Sequence, residues 1–68
     1  MTIDWTKAPK ARYHAFDADG RGVFCRTQPW VEIDHWQAID SVYYSGYTLP
    51  AGQDWRQSLV ERVKEQQP

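Results

Sequence analysis

Hydrophobic and polar positions alternate with a period of two through much of this chain, and the period changes only near its end. From Ala11 to Phe16, Ala11, Tyr13 and Ala15 fall on one face of an extended segment, with Arg12, His14 and Phe16 on the other. Asp17-Ala18-Asp19-Gly20-Arg21-Gly22 follows, its Asp residues suited to local side-chain hydrogen bonds and its Gly residues to positive φ. Val23 to Arg26 then reads as the return strand of a β-hairpin. Beyond Pro29, Trp30-Val31-Glu32-Ile33-Asp34 resumes the alternation. Val31 and Ile33 share one face, while Trp30, Glu32, Asp34 and Trp36 share the other parity. Ser41-Val42-Tyr43-Tyr44 is β-branched and aromatic and predicts a further strand, ended by Gly46.

The two ends read differently. Residues 1–10 form a lead-in in which Pro9 forbids a long helix, and one helical turn capped by Asp4 would lay Trp5 on the core. Near the other end, Trp55, Leu59, Val60 and Val63 recur at helical spacing behind Asp54, a good N-cap, with Gln57 placed as in a capping box. This predicts a helix over 54–66. A helix of ~12 residues is marginal alone and needs a sheet to dock on. The expected fold is therefore α+β: one domain, an antiparallel β-meander of three to four strands over 11–47, and a C-terminal α-helix packed on one face.

Composition sharpens this picture. A chain of 68 residues is one small domain burying only ~60% of the surface it exposes unfolded. Aromatic residues make up 15%, so the core must be built largely from rings. Four Trp in so small a domain cannot all be fully buried. Trp5 and Trp55 are expected on the core and Trp30 on the surface. Trp36 either joins Trp30 outside or is tucked in by a bend near His35. A single cysteine, Cys25, excludes an intramolecular disulfide. No apolar run reaches the ~20 residues that span a bilayer, and Met1 to Lys10 lack the apolar stretch of a secretory signal, so a cytoplasmic protein without membrane contact is expected.

Charge is unevenly spread although the net value is only −1. Residues 1–29 carry Lys7, Lys10, Arg12, Arg21 and Arg26 against Asp4, Asp17 and Asp19. Residues 30–54 carry Glu32, Asp34, Asp40 and Asp54 with no Lys or Arg, and also hold Trp30, Trp36, Tyr43, Tyr44 and Tyr47. Neighbouring strands supplying countercharge would explain this; so would an acidic, aromatic contact surface for a basic partner.

The residues offer little support for reaction chemistry. Asp19-Gly20-Arg21-Gly22 lacks the Lys and helix of a phosphate loop, and Asp17-Ala18-Asp19-Gly20 lacks the later Glu of a calcium loop. His14, Cys25 and His35 show no zinc spacing, and a Cys–His dyad has little wall for a substrate cleft in so short a chain. No catalytic residue, metal or cofactor is assigned. Paired carboxylates Asp17 and Asp19, or Glu32 and Asp34, fit a turn and a solvated strand.

Ile3-Asp4-Trp5-Thr6-Lys7-Ala8-Pro9 resembles the "DWSKAP" start of small tailed-bacteriophage and prophage proteins. Asp54-Trp55-Arg56-Gln57-Ser58-Leu59 is similar to the "DWRxSL" segment of the same proteins. Together these segments cover only the two ends, and no catalytic or ligand residue comes with them. The resemblance implies an accessory protein that binds and modulates a bacterial host or phage protein.

The leading expectation is a non-catalytic protein-binding module contacting its partner through Trp30, Glu32, Asp34, Trp36, Tyr43 and Tyr47. The alternative is a single-stranded nucleic-acid binder, with rings stacking on bases and Lys7, Lys10, Arg12, Arg21 and Arg26 meeting phosphates. Whether basic and aromatic residues share a face decides between them, and their separation along the chain counts against nucleic acid. Self-association through a Ser41–Tyr44 edge strand, giving a homodimer, is the third.

Overall fold

The computed structural model describes residues 2–63. Among them the chain forms six strands: β1 (Tyr13–Phe16), β2 (Arg21–Cys25), β3 (Trp30–Val31), β4 (Trp36–Gln37), β5 (Tyr43–Thr48) and β6 (Val60–Glu61). Two single turns of 3-10 helix, Trp5–Lys7 and Trp55–Gln57, complete the regular structure. Four strands make an antiparallel sheet in the order β5-β2-β1-β6, and β3 and β4 form a separate two-stranded ribbon. The fold is thus β-rich, in two antiparallel sheets, and the expected α+β arrangement is overturned.

The central hairpin forms where the alternation places it. Tyr13 pairs with Cys25, His14 with Phe24 and Ala15 with Val23. Its turn closes through Gly20 N–H to Asp17 O (2.9 Å), and Asp19 Oδ1 accepts from Arg21 N–H (3.0 Å). Gly20 has φ +88°, a conformation that costs an L side chain strain.

Both faces of this hairpin are covered, so His14, Ala15 and Phe16 are all buried in succession. On one face Ile3, Trp5 and Ala11 pack with Phe24, joined by Ala8 and Tyr47. Asp4 makes this possible: its carboxylate accepts from Thr6 N–H (3.1 Å), starting the single turn that lays Trp5 on Phe24 at 5.8 Å between ring centroids. On the other face Val23 and Cys25 pack with Ala38, and Tyr13 flanks them.

The predicted helix over 54–66 is absent among the described residues; residues 64–66 lie outside them. Asp54 does cap, its Oδ1 accepting from Arg56 N–H (3.0 Å), but only one turn follows. Ser58 ends it. Its buried hydroxyl accepts from Phe16 N–H (2.8 Å) and donates to Trp55 O (2.7 Å), fixing the chain at the end of β1. Val60 and Glu61 then pair with His14 and Tyr13 as an edge strand. The open hydrogen-bonding edge of β1 therefore outweighs the local helical pattern, and Val60 and Val63 remain 46% exposed instead of forming a buried stripe. Trp55 is half-buried, with the Arg56 guanidinium 5.0 Å from its ring.

Gly46 does not end the last long strand, which runs through it to Thr48. Arg21 pairs with Thr48 but Val23 pairs with Tyr44, so Ser45, Gly46 and Tyr47 stand opposite Gly22 alone. This bulge turns both Ser45 and Tyr47 onto the His14 face. Ser45 Oγ lies 2.8 Å from His14 Nε2, and the Tyr47 ring meets the imidazole edge-on at 5.5 Å. Gly22 is bare for a reason: a Cβ there would sit 2.8 Å from His14 Nε2 and would collide with Ser45 Oγ.

Candidate functional site

The six residues expected on one contact surface are divided by the fold. Trp30, Glu32 and Asp34 stay together on the ribbon. Trp30 pairs with Gln37 and Val31 with Trp36, so the strand expected over Trp30–Asp34 stops at Val31 and turns back. Glu32 N–H closes that turn onto His35 O at 2.8 Å. The turn also reverses the expectation for Ile33: placed with Val31 on one strand face by parity, it is instead 90% exposed at the tip.

The polar groups of the ribbon are already satisfied by one another. Trp30 Nε1–H donates to Glu32 Oε2 at 2.5 Å, which holds the half-exposed indole in place. Asp34 Oδ1 lies 2.8 Å from His35 Nδ1, and Gln37 Oε1 lies 3.1 Å from His35 Nε2. Hydrogen bonding to Asp34 and then Gln37 raises the His35 pKa above its ordinary value.

Trp36 belongs to the core, which corrects its assignment to the contact surface. It is 6% exposed, its backbone N–H donates to Asp17 Oδ1 (2.8 Å) and its indole N–H donates to Trp55 O (3.2 Å). With Ala18 N–H bound to Asp34 O (3.0 Å), these bonds dock the ribbon on the hairpin turn and on the Trp55 turn. Burial raises the Asp17 pKa, and the Trp36 N–H bond works against that rise. The bend near His35 is what carries Trp36 inward.

Tyr47 is likewise structural. Its ring is half-buried in the Trp5 cluster and its hydroxyl accepts from Asp4 N–H at 2.9 Å. Tyr43 is 51% exposed but lies on β5, in the other sheet from Trp30. There it lines a groove of about 480 Å³ with Lys7, Lys10, Phe24, Arg26 and Tyr44. Lys10 and Arg26 also line an adjoining depression of about 550 Å³, shared with Arg12 and Arg62. Basic and aromatic residues thus share a surface, contrary to the expectation from their order in the chain. The pairing of Phe24 with Tyr43 does this, by bringing the acidic third of the sequence beside Arg26. No local pattern signals that pairing.

The reactive side chains are kept apart. His14 pairs with Phe24, so it projects from the opposite face to Cys25. Cys25 is fully buried and burial pushes its thiol up to about 11, which leaves it an inert apolar filler. His14 is enclosed by the rings of Phe16, Phe24 and Tyr47, and burial lowers its pKa to about 4. Its Nδ1 has no hydrogen-bond partner among the described residues. Among those residues no group of three or more His, Cys, Asp or Glu is placed to hold a metal ion, and no helix is long and apolar enough to cross a membrane. No protein-family model matches the chain, and no curated protein or solved structure shows significant similarity to it.

Proposed function

We propose that the chain is a small, non-catalytic protein-binding module that engages its partner through the β3–β4 ribbon. The observation that carries this reading is the exposure of Ile33 and Trp30 on a short ribbon whose polar side chains are already bonded to one another. Such a surface offers apolar contact without first breaking hydrogen bonds, and Trp is among the residues enriched at interface hot spots. Glu32 and Asp34 beside it favour a partner with a basic rim. The likeness of both ends of the chain to small phage and prophage proteins supports a bacterial host or phage protein as that partner, met in the cytoplasm. Self-pairing along β5 is the weaker reading, because the bulge at Ser45–Tyr47 interrupts the regular edge that a second copy would need.

Affinity capture from a bacterial lysate, with and without nuclease, tests the proposal. One protein retained after nuclease by the native chain, and lost with Ile33→Asp and Trp30→Ala, is the expected outcome. Retention that ignores both substitutions rejects the ribbon as the contact.

A further inference from the structure

The groove beside β5 differs in kind from the ribbon. One wall comes from the N-terminal segment around Lys7 and Lys10, the other from Tyr43 and Tyr44, and the buried Phe24 closes the floor. Lys10, Arg26 and Arg12 are exposed and have no ion-pair partner among the described residues. Lys7 is engaged, since its ammonium lies 4.7 Å from the Tyr47 ring centroid. Arg62 is structural, with Nη1 donating to Pro9 O at 2.7 Å. In the adjoining depression Asp40 is the one acidic side chain among the described residues.

Unpaired cations beside an exposed ring, on a protein of net charge −1, are a local arrangement that its composition does not announce. Apolar ligands would leave the cations unanswered, and simple anions would leave the exposed Tyr43 ring idle, Tyr44 being already met by the Arg21 guanidinium 5.4 Å from its ring centroid. A chain that alternates flat rings with negative charges satisfies both. We propose that this groove binds single-stranded nucleic acid. A base lies against Tyr43, and successive phosphates run past Arg26 and Lys10 toward Arg12. The surface is concave and suits an unpaired strand; reading a duplex needs an element that projects into a major groove ~12 Å wide. This site shares no residue with the ribbon and does not rest on the ribbon's role.

Fluorescence anisotropy with a labelled oligothymidylate of about ten nucleotides tests it. Three phosphate contacts predict that log K falls with log salt at a slope of about −2, measured from about 50 to 200 mM salt. The Lys10→Glu, Arg26→Glu pair should weaken binding at least ~10-fold at the low end of that range. Tyr43→Ala should cost ~5-fold to 100-fold while Tyr43→Phe keeps the native affinity, because stacking needs the ring and not the hydroxyl. Trp30→Ala should change nothing. No anisotropy change at low salt overturns the proposal, as does equal loss with Trp30→Ala. Displacement of the oligonucleotide by inorganic polyphosphate at equal phosphate concentration also overturns it, since charge alone would then suffice.

Discussion

The ribbon and the groove answer the same problem, how a small domain presents a surface, in opposite ways. On the ribbon each carboxylate has a partner: Glu32 holds the Trp30 indole and Asp34 holds His35. What is left for a visitor is apolar, with Ile33 foremost. In the groove Lys10 and Arg26 are left open and the ring of Tyr43 stands beside them. Internally paired charge prepares a surface for burial, whereas open charge prepares it for long-range attraction. Binding at the ribbon, where apolar contact leads, should therefore depend less on salt than binding at the groove.

The largest test strikes what the ribbon stands on. Trp36→Ala removes a buried ring and its indole bond to Trp55 O, while the backbone N–H bond to Asp17 stays, and should cost ~3–5 kcal/mol in urea unfolding. Trp55→Ala, at a half-buried site, should cost clearly less. Equal losses would mean that the ribbon is not docked through Trp36.

Acid comes next, because it acts on the core between the two surfaces. The imidazole of His14 takes a proton near 6.5 when the chain is unfolded and only near 4 when folded. Between those values the unfolded chain binds more protons, so stability falls as pH drops through that window, by about 3 kcal/mol. Asp17, with its raised pKa, acts in the opposite sense from its ordinary value of 3.8 upward. Urea unfolding across this range should show the decline, and His14→Gln should flatten it whatever its effect on absolute stability. A native chain equally stable at both limits would show that His14 is not held neutral.

Trp30→Ala separates surface from core. Its stability should stay within about 0.5 kcal/mol of the native chain. Partner binding at the ribbon should weaken by about 2 kcal/mol. Unfolding as severe as with Trp36→Ala would place Trp30 in the core. The smallest effect is at the ribbon turn, where Asp34→Asn should bring the His35 pKa back toward its ordinary value in an NMR titration. An unmoved His35 would mean that the ribbon charges are not paired as described.

What could be read from the residues was local. Asp4 announces its capped turn, Asp17 to Gly20 announce the hairpin, and Trp5 announces the core. These features are set within a few residues, so neighbouring side chains suffice to specify them. The end of the chain misleads because its cap is real while its helix is not. Asp54 specifies one turn, and the vacant edge of β1 then offers Val60 and Glu61 backbone partners that a lone helix cannot match. Trp36 was undecidable by parity because parity fails at a bend. The groove lay beyond reach for a different reason: Tyr43 and Arg26 meet only through the β2–β5 pairing, which no short-range pattern encodes.

Arg62 N–H bonds to Arg12 O at 2.7 Å, and its guanidinium reaches Pro9 O and Ala11 O, across about fifty residues of chain. Loops that long close slowly, and nothing nearer in sequence can stand in for Arg62. On the ribosome, this domain must therefore wait: its hairpin can form early, but β6 joins β1, and the Arg62 guanidinium takes its place 5.8 Å from the Trp5 ring centroid, only once Arg62 has left the exit tunnel.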